Sequence, residues 1–485
     1  MPRTPQQMRD DLRAIWNAGV DGVRVDRLMH AAVSLTENAL RVEDVDYPLN
    51  SIKRIVVIGG GKASGAMAET LETILEPLFE KKEIVGWVNV PDDCAKPLRR
   101  IILHPARAMG INEPTEAAVA GTAEMLRMAE NLTKDDLCIC LLSGGGSALL
   151  PAPVPEITLG EKLEITRFLS ESGATIQELN TVRKQISRIK GGGLKRICRK
   201  KRLVSLILSD VLGDPLDVIA SGPTVDDQST ASEALDVLSR FRPEILHSAR
   251  ASNGNSENHE DFRSQALLHI ADYLRNKMAT GNRPQENGDD TIRNVIIGNN
   301  SLAVESAGEE ALRRGYSYAL YSSPTSEGLA EKIGIHLAQT AIRMRSEGPD
   351  CLIHGGEPVV RLASPEKRGL GGRNQQLVLA ALICLFEKID LNVEDGNIGI
   401  AVLSGGTDGE DGPTDAAGAW IDPIFWRQFE KKVRDDPSFD PKDFLGRNDA
   451  YRFFEPFGTL LKTGATGTNV CDLRVVLVDR IAGDE

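Results

Sequence analysis

Short apolar runs that end in glycine recur along this chain, and an amphipathic stretch follows several of them. Ile55 to Ile58 runs into GGGKASGAMAETLE, Leu137 to Leu142 into SGGGSALL, and Leu203 to Leu208 into SDVLGDPLDVIASGPT. Asn294 to Ile297 runs into GNNSLAVESAGEEALRRG, and Ile400 to Leu403 into SGGTDGEDG. Continuous apolar strands alternating with helices predict a parallel sheet covered on both faces, hence an α/β fold. In such sheets ligands sit at the carboxyl ends of the strands, where these glycine-rich loops fall. Upstream, residues 7–42 show Leu12, Ile15, Trp16, Val20, Val23 and Leu28 at helical spacing and predict helix. From about His247 to Asp290 the chain turns rich in Asn, Ser, Gly and charge, around a stretch, ALLHIADYLRNKM, that suits one helix. This marks a polar insertion or linker, 246–290, between a first domain 1–245 and a second domain 291–485.

Charge and cysteine usage narrow the partners. Lys+Arg 57 against Asp+Glu 70 gives a net charge of −13. Phosphate backbones repel such a chain, so nucleic acid is not expected as a main partner, although a locally basic site can still take a small anion. No stretch approaches the roughly 20 apolar residues of a membrane span, so no membrane partner is expected. The start, MPRTPQQMRDDLRAIW, lacks an apolar secretory core and carries Asp10 and Asp11. Cysteines 94, 138, 140, 198, 351, 384 and 471 are scattered, with no metal-ligand spacing, and read as reduced cytoplasmic thiols.

The loops carry the chemistry. GGGKAS at 59–64 is no Walker A motif, because Val56 stands where that motif needs Gly and Ala63 where it needs Ser or Thr. It leaves backbone N–H groups of Gly60 and Gly61, with Lys62, at a helix start, where a cation is unfavourable unless an anion joins it. Ser143, Gly144, Gly145, Gly146 and Ser147 form a second candidate anion cradle, although a tight turn of small residues explains them equally well. In NTVRKQISRIKGGGL, Arg183, Ser187 and Lys190 are spaced to share a helical face. Asp210 and Asp214 of SDVLGD suit a hydrated Mg²⁺ or a general base acting on a hydroxyl. GLGGRNQQ offers Arg373 among glycines as an anion fork. Thr407 and Asp408 of SGGTDGEDG, and Thr466 and Asn469 of TGATGTNVCDL, add polar groups suited to phosphate or hydroxyl contacts; plain polar turns are the simpler reading of each alone. Together the loops supply cations, N–H donors and Asp, the mixture that phosphoryl transfer requires. Neither GxSxG nor HExxH occurs, so hydrolase and zinc-enzyme readings lack their parts.

In order along the chain, VVIGGGKASGAMA, LLSGGGSALLPAP, ELNTVRKQISRIKGGGL, LILSDVLGDPLDVIASGPT, GLGGRNQQLVLA, AVLSGGTDGEDGPTDAAGA and TGATGTNVCDL span about residues 55–475. With these motifs the sequence resembles the glycerate 2-kinases, class II D-glycerate kinases of MOFRL type whose members are also labelled hydroxypyruvate reductases. The resemblance implies a larger N-terminal Rossmann-like three-layer domain with a mainly parallel sheet, a smaller C-terminal α/β domain, and an active site in the cleft between them. It implies ATP and Mg²⁺ as co-substrates, D-glycerate as acceptor and 2-phosphoglycerate as product. The family's lysine falls on Lys62, its arginine on Arg373 and its aspartate on Asp210, while Glu357 joins the binding residues. Gln185 departs from the family's usual His, and Ala465 from its usual Pro. The runner-up is an NAD(P)H-dependent hydroxypyruvate reductase, resting on the imperfect fingerprint Gly59-x-Gly61-x-x-Ser64. A homodimer and a monomer are equally open.

Overall fold

A computed structural model describes residues 3–108, 113–243, 259–280, 291–388 and 398–480. Two compact units divide the chain, and their boundaries differ from those the polar insertion suggested. The first unit comprises Met29–Leu208 and Pro215–Ile297; the second comprises Met1–Leu28, Ser209–Asp214 and Gly298–Glu485. The helix Pro5–Gly22 explains why the N-terminus joins the second unit. Its apolar stripe, Met8, Leu12, Ile15, Trp16 and Val20, is buried in one cluster with Ala307, Leu403, Leu473 and Val475. Trp16 also donates from Nε1 to the Leu473 carbonyl at 3.1 Å. The helical reading of 7–42 holds only to Ala32, with a break after Gly22. Beyond it, Val33–Leu35, Ala39–Val42 and Val45–Pro48 form a small antiparallel sheet. Thr36 turns that chain, its Oγ1 accepting from Ala39 N at 3.0 Å.

The first unit is built on six strands, β1 (Arg54–Gly60), β2 (Glu83–Pro91), β3 (Ile101–Arg107), β4 (Asp136–Leu142), β5 (Arg202–Leu208) and β6 (Ile292–Gly298). Their order is β3-β2-β1-β4-β5-β6, and β1 pairs in parallel with both β2 and β4. This is the doubly wound order, which reverses between β1 and β4. The Lys62 loop leaves β1 and the Ser143–Ser147 loop leaves β4, so both stand at the reversal, where such sheets open a crevice.

Within the predicted insertion, 246–258 and 281–290 lie outside the described residues. Its middle is the helix His259–Ala279, whose Leu267, Ile270, Ala271 and Leu274 are buried with Ile165, Val182 and Val237. That helix is an integral layer of the first unit rather than a linker. Among the described residues no helix is long and apolar enough to cross a membrane.

The second unit holds β7 (Tyr318–Ser322), β8 (Cys351–Gly356), β9 (Ile400–Gly406), β10 (Gly418–Ile421), β11 (Leu460–Leu461) and β12 (Asp472–Val478), in the order β7-β8-β12-β9-β10-β11. Here the parallel expectation fails. β7 and β8 are parallel, but β12 lies antiparallel between β8 and β9, and β10 and β11 continue antiparallel. Every residue of β9 and β12 is buried. A continuous apolar run reports burial on both faces and carries no information on strand direction.

Candidate active site

In the first unit the glycines of the two loops let neighbouring backbones meet. A Cβ at Gly59 would lie 2.1 Å from the Leu141 carbonyl oxygen, and one at Gly61 would lie 2.1 Å from Ser143 Oγ. The loops are then stitched together. Lys62 N donates to the Gly144 carbonyl at 2.8 Å and Ala63 N to Ser143 Oγ at 3.0 Å, while Ser64 Oγ and Ser143 Oγ stand 3.0 Å apart. The chain itself therefore accounts for Gly59, Gly61 and Ser64, which removes the reductase reading's main support. Gly60 packs between Leu150 and the Asn89 carbonyl, and Gly146 against the Gly60 carbonyl. Lys62 is half-buried at this edge. Arg107, at the end of β3, lies nearby: a Cβ on Gly145 would come within 3.2 Å of its Nη2.

Deeper in the unit, Ser147 collects a group of cations. Lys190 Nζ donates to Ser147 O and Oγ, both at 2.9 Å, and Arg183 Nη2 also donates to Ser147 Oγ. Ser221 Oγ stands 3.0 Å from Ser147 Oγ and donates to Asn180 Oδ1 at 3.3 Å. Ala220 and Ser221 adopt left-handed φ of 50° and 62°, backbone strain of the kind that collects at functional sites. Burial pushes Lys190 well below its ordinary range, helped by Arg183 and Lys162, and burial also lowers Arg183.

The shared helical face expected for Arg183, Ser187 and Lys190 is not present. The helix Ile176–Gln185 ends there, Ser187 bridges to Pro153, and Ser187 Oγ accepts from Lys190 N at 3.3 Å. Arg183 and Lys190 nevertheless converge on Ser147. Gln185 faces elsewhere, donating from Nε2 to Asp227 Oδ2 at 3.1 Å and to the Ser229 carbonyl at 2.9 Å.

In the second unit the polar groups gather where β8 and β9 end and β12 begins. Arg373 opens the helix Arg373–Lys388 and forks onto Asp472, Nε to Oδ2 and Nη2 to Oδ1, both at 2.8 Å. Its Nη1 donates to Glu357 Oε1 at 2.8 Å. Three of the five N–H donors are thus engaged among the described residues, and the Arg373 side chain keeps 34% exposure. Burial works against the guanidinium charge, but Asp472 and Glu357 hold it protonated far above the ordinary range. Burial raises Glu357, with Asp472 adding and Arg373 opposing.

Asp411 is fully enclosed and accepts from Asn374 N at 3.0 Å and Gln375 N at 2.9 Å, so a carboxylate from a distant loop caps the Arg373 helix. Burial pushes it up to about 7. Cys471 donates from Sγ to the Asp210 carbonyl at 2.9 Å, which brings the SDV loop into this cluster. Burial and the charges of Glu357, Asp210 and Asp472 push the Cys471 thiol well up.

Thr407 turns inward, its Oγ1 donating to the Cys471 carbonyl at 2.7 Å and accepting from Val470 N at 2.9 Å. Thr466 Oγ1 donates to the Thr407 carbonyl, and Asn469 Oδ1 accepts from Cys471 N at 3.2 Å. These residues brace the loop that delivers Asp472. Half-buried Asp408 accepts from Glu410 N at 3.0 Å. Asp214 accepts from Asn299 Nδ2 at 2.5 Å. Among the described residues no group of three or more His, Cys, Asp or Glu side chains is arranged to hold a metal.

Sequence reasoning missed Lys162, Ser221 and Asp472. Two of them left a signal. Lys162 interrupts the apolar stripe Leu159, Ile165, Phe168 and Leu169, and Asp472 opens a strand that is otherwise apolar apart from Arg474.

A doubly wound sheet with cations gathered near its reversal, and a second α/β unit with an arginine–carboxylate cluster at its sheet edge, define a two-unit α/β protein. The sequence pattern of a domain of unknown function (DUF4147) matches residues 11–252, and that of the MOFRL family matches residues 350–472. Glycerate kinase of Danio rerio is 34% identical over 96% of this chain and 97% of its own length. Glycerate kinase of Homo sapiens is 33% identical over 97% and 93%. The crystal structure of glycerate kinase from Thermotoga maritima superposes with a TM-score of 0.75 at 29% identity, covering 98% of this chain and all of that one. The chain belongs to the glycerate kinase family.

Proposed function

We propose that this protein is an ATP-dependent kinase that phosphorylates D-glycerate on its C2 hydroxyl, giving 2-phosphoglycerate and ADP. The observation that carries the reading is the convergence of Arg183 and Lys190 on Ser147, beside the Lys62 loop at the sheet reversal. Buried cations facing neutral oxygens are costly unless an anionic ligand compensates them.

In this reading the Lys62 loop, with Gly60, Gly61 and Ser143 to Ser147, receives phosphate oxygens. Lys62 suits the neutralisation of the phosphate oxygens held by that loop, and Arg373 that of an anionic group at the sheet edge of the second unit. Arg373 is pre-oriented by Asp472 and Glu357, so little reorganisation accompanies the charge movement. Asp210 orients the C2 hydroxyl and accepts its proton as the oxygen bonds to the γ-phosphorus and the bond to the ADP oxygen breaks. Asp210 and Asp214 suit Mg²⁺ in the manner of an ion carried by a nucleotide, which takes one or two carboxylates and completes its shell with phosphates and water. When bound, that ion would draw charge from the phosphate oxygens.

The test is Asp210→Asn, which keeps the shape and removes the base. Turnover should fall by roughly 100-fold or more. Full turnover in this variant would remove Asp210 from the chemistry.

A further inference from the structure

Lys162 takes no part in the mechanism above and is a buried charge of the first unit. It lies on the helix Leu159–Glu171, only 2% exposed, and among the described residues its Nζ has no hydrogen-bond partner. The carboxylates on its own helix are directed elsewhere. Glu161 accepts from Thr158 N and pairs with His269, Glu164 pairs with Arg263, and Glu171 also pairs with Arg263. The charged neighbours that remain are cations: Arg183 lowers its proton affinity, and Lys162 in turn lowers that of Lys190.

Lys162 lines a cavity of about 230 Å³ together with Gly145, Ser147, Thr166 and Arg183, with the Glu113–Arg167 ion pair also in its wall. That volume is below the range of pockets that hold drug-sized ligands, so it suits a compact anion rather than a whole nucleotide. A larger cavity, about 790 Å³ around Gln185 and Lys277, differs in kind, since its Lys184 already pairs with Asp217 and Asp227.

We propose that the Lys162 cavity binds a small oxyanion, the carboxylate of a short hydroxy acid or a single phosphate group, with Lys162 and Arg183 supplying the charge and Ser147 a hydroxyl. Lys162 is thereby a further specificity-determining residue. The inference rests on the glycerate kinase reading only for which oxyanion is the natural one. Burial, with Arg183 beside it, pushes Lys162 down to about 7. An arriving anion therefore raises its proton affinity, and binding near neutral pH takes up a proton. The other charged groups around the cavity, Arg183, Lys190, Arg167, Glu113, Glu161 and Glu164, remain in place in the variants below.

The experiment is calorimetric titration of the full chain with inorganic phosphate, D-glycerate and a non-hydrolysable ATP analogue, in two buffers of different ionisation enthalpy. It compares the native protein with Lys162→Met and with Thr166→Leu, which fills the cavity without changing charge. The proposal expects one small anion to bind with buffer-dependent proton uptake. Both variants should weaken that binding at least tenfold. Phosphate binding alone would identify a phosphate subsite, and glycerate binding alone a carboxylate subsite. Unaltered affinity for both anions in both variants overturns the proposal. If the native protein lacks kinase activity but Lys162-dependent anion binding persists, the kinase reading fails and the cavity assignment stands. If the enzyme is active while anion binding and the glycerate KM are unaltered in both variants, the cavity assignment fails and the kinase reading stands.

Discussion

Replacing Lys162 by Met should make the ligand-free protein more stable, and the gain should depend on pH in a defined direction. Lys162 releases its proton at about 7 in the folded chain against 10.5 for an ordinary lysine. At about 1.36 kcal/mol per unit, the folded state carries a penalty of about 5 kcal/mol when both states are protonated. The sign follows from proton counts. Between pH 7 and 10.5 the unfolded chain holds this proton and the folded chain does not, so native stability rises with pH, at about 1.4 kcal/mol per unit. Below 7 the full penalty applies, and above 10.5 it vanishes. Met matches the length of the lysine stem and carries no charge. Lys190 is itself depressed partly by Lys162, so its relief adds to the gain.

Scanning calorimetry of ligand-free protein at about pH 6.5 should show the first-unit transition of Lys162→Met raised by roughly 10 °C, an upper figure for a unit of this size. At about pH 9.5 the gap should shrink to a third or less. A variant less stable than the native chain at pH 6.5, or a gap that does not change with pH, would refute the argument that Lys162 is buried without compensation.

Two further outcomes follow for the second unit. Asp411 titrates at about 7 in the fold against 3.8 for an ordinary aspartate, so between these values the folded state holds a proton that the unfolded chain has lost. Stability of that unit should therefore rise as pH falls from 7 towards 4, and Asp411→Asn should flatten this slope in a series of melting curves. Asp472→Asn should cost about 2 kcal/mol by denaturant midpoint, less than a fully buried pair would, because Arg373 keeps 34% exposure. Its larger effect should be on turnover, through loss of the fork that orients Arg373.

Much of the first unit was legible in the sequence. Every apolar run singled out there is a strand, because seven-residue stretches such as Asp136–Leu142 are buried throughout and leave no amphipathic pattern to misread. The loops were found because glycine is needed where Gly59 and Gly61 touch the neighbouring loop. Strand direction in the second sheet was not legible, since β12 returns antiparallel with the same apolarity as a parallel strand. The home of the N-terminal helix was not legible either. A stripe such as Met8, Leu12, Ile15 and Trp16 says that a face is buried, not against which unit. The site was read in part. Lys62, Arg183, Lys190, Asp210 and Arg373 carry visible charge in glycine-rich contexts. Lys162 and Asp472 stand out by their burial, which a single charged letter in an apolar pattern only hints at. Thr407 and Thr466, predicted to face a ligand, have their hydroxyls engaged by the chain, a distinction that depends on side-chain direction.

The most direct test of the central claim is to incubate the purified protein with ATP, Mg²⁺ and D-glycerate and follow ADP release and product by phosphorus NMR, with NADH and hydroxypyruvate in a parallel cuvette. A glycerate 2-kinase releases ADP only when glycerate is present, gives 2-phosphoglycerate as the new resonance and leaves NADH unoxidised. Oxidation of NADH without any glycerate-dependent ADP would contradict that reading.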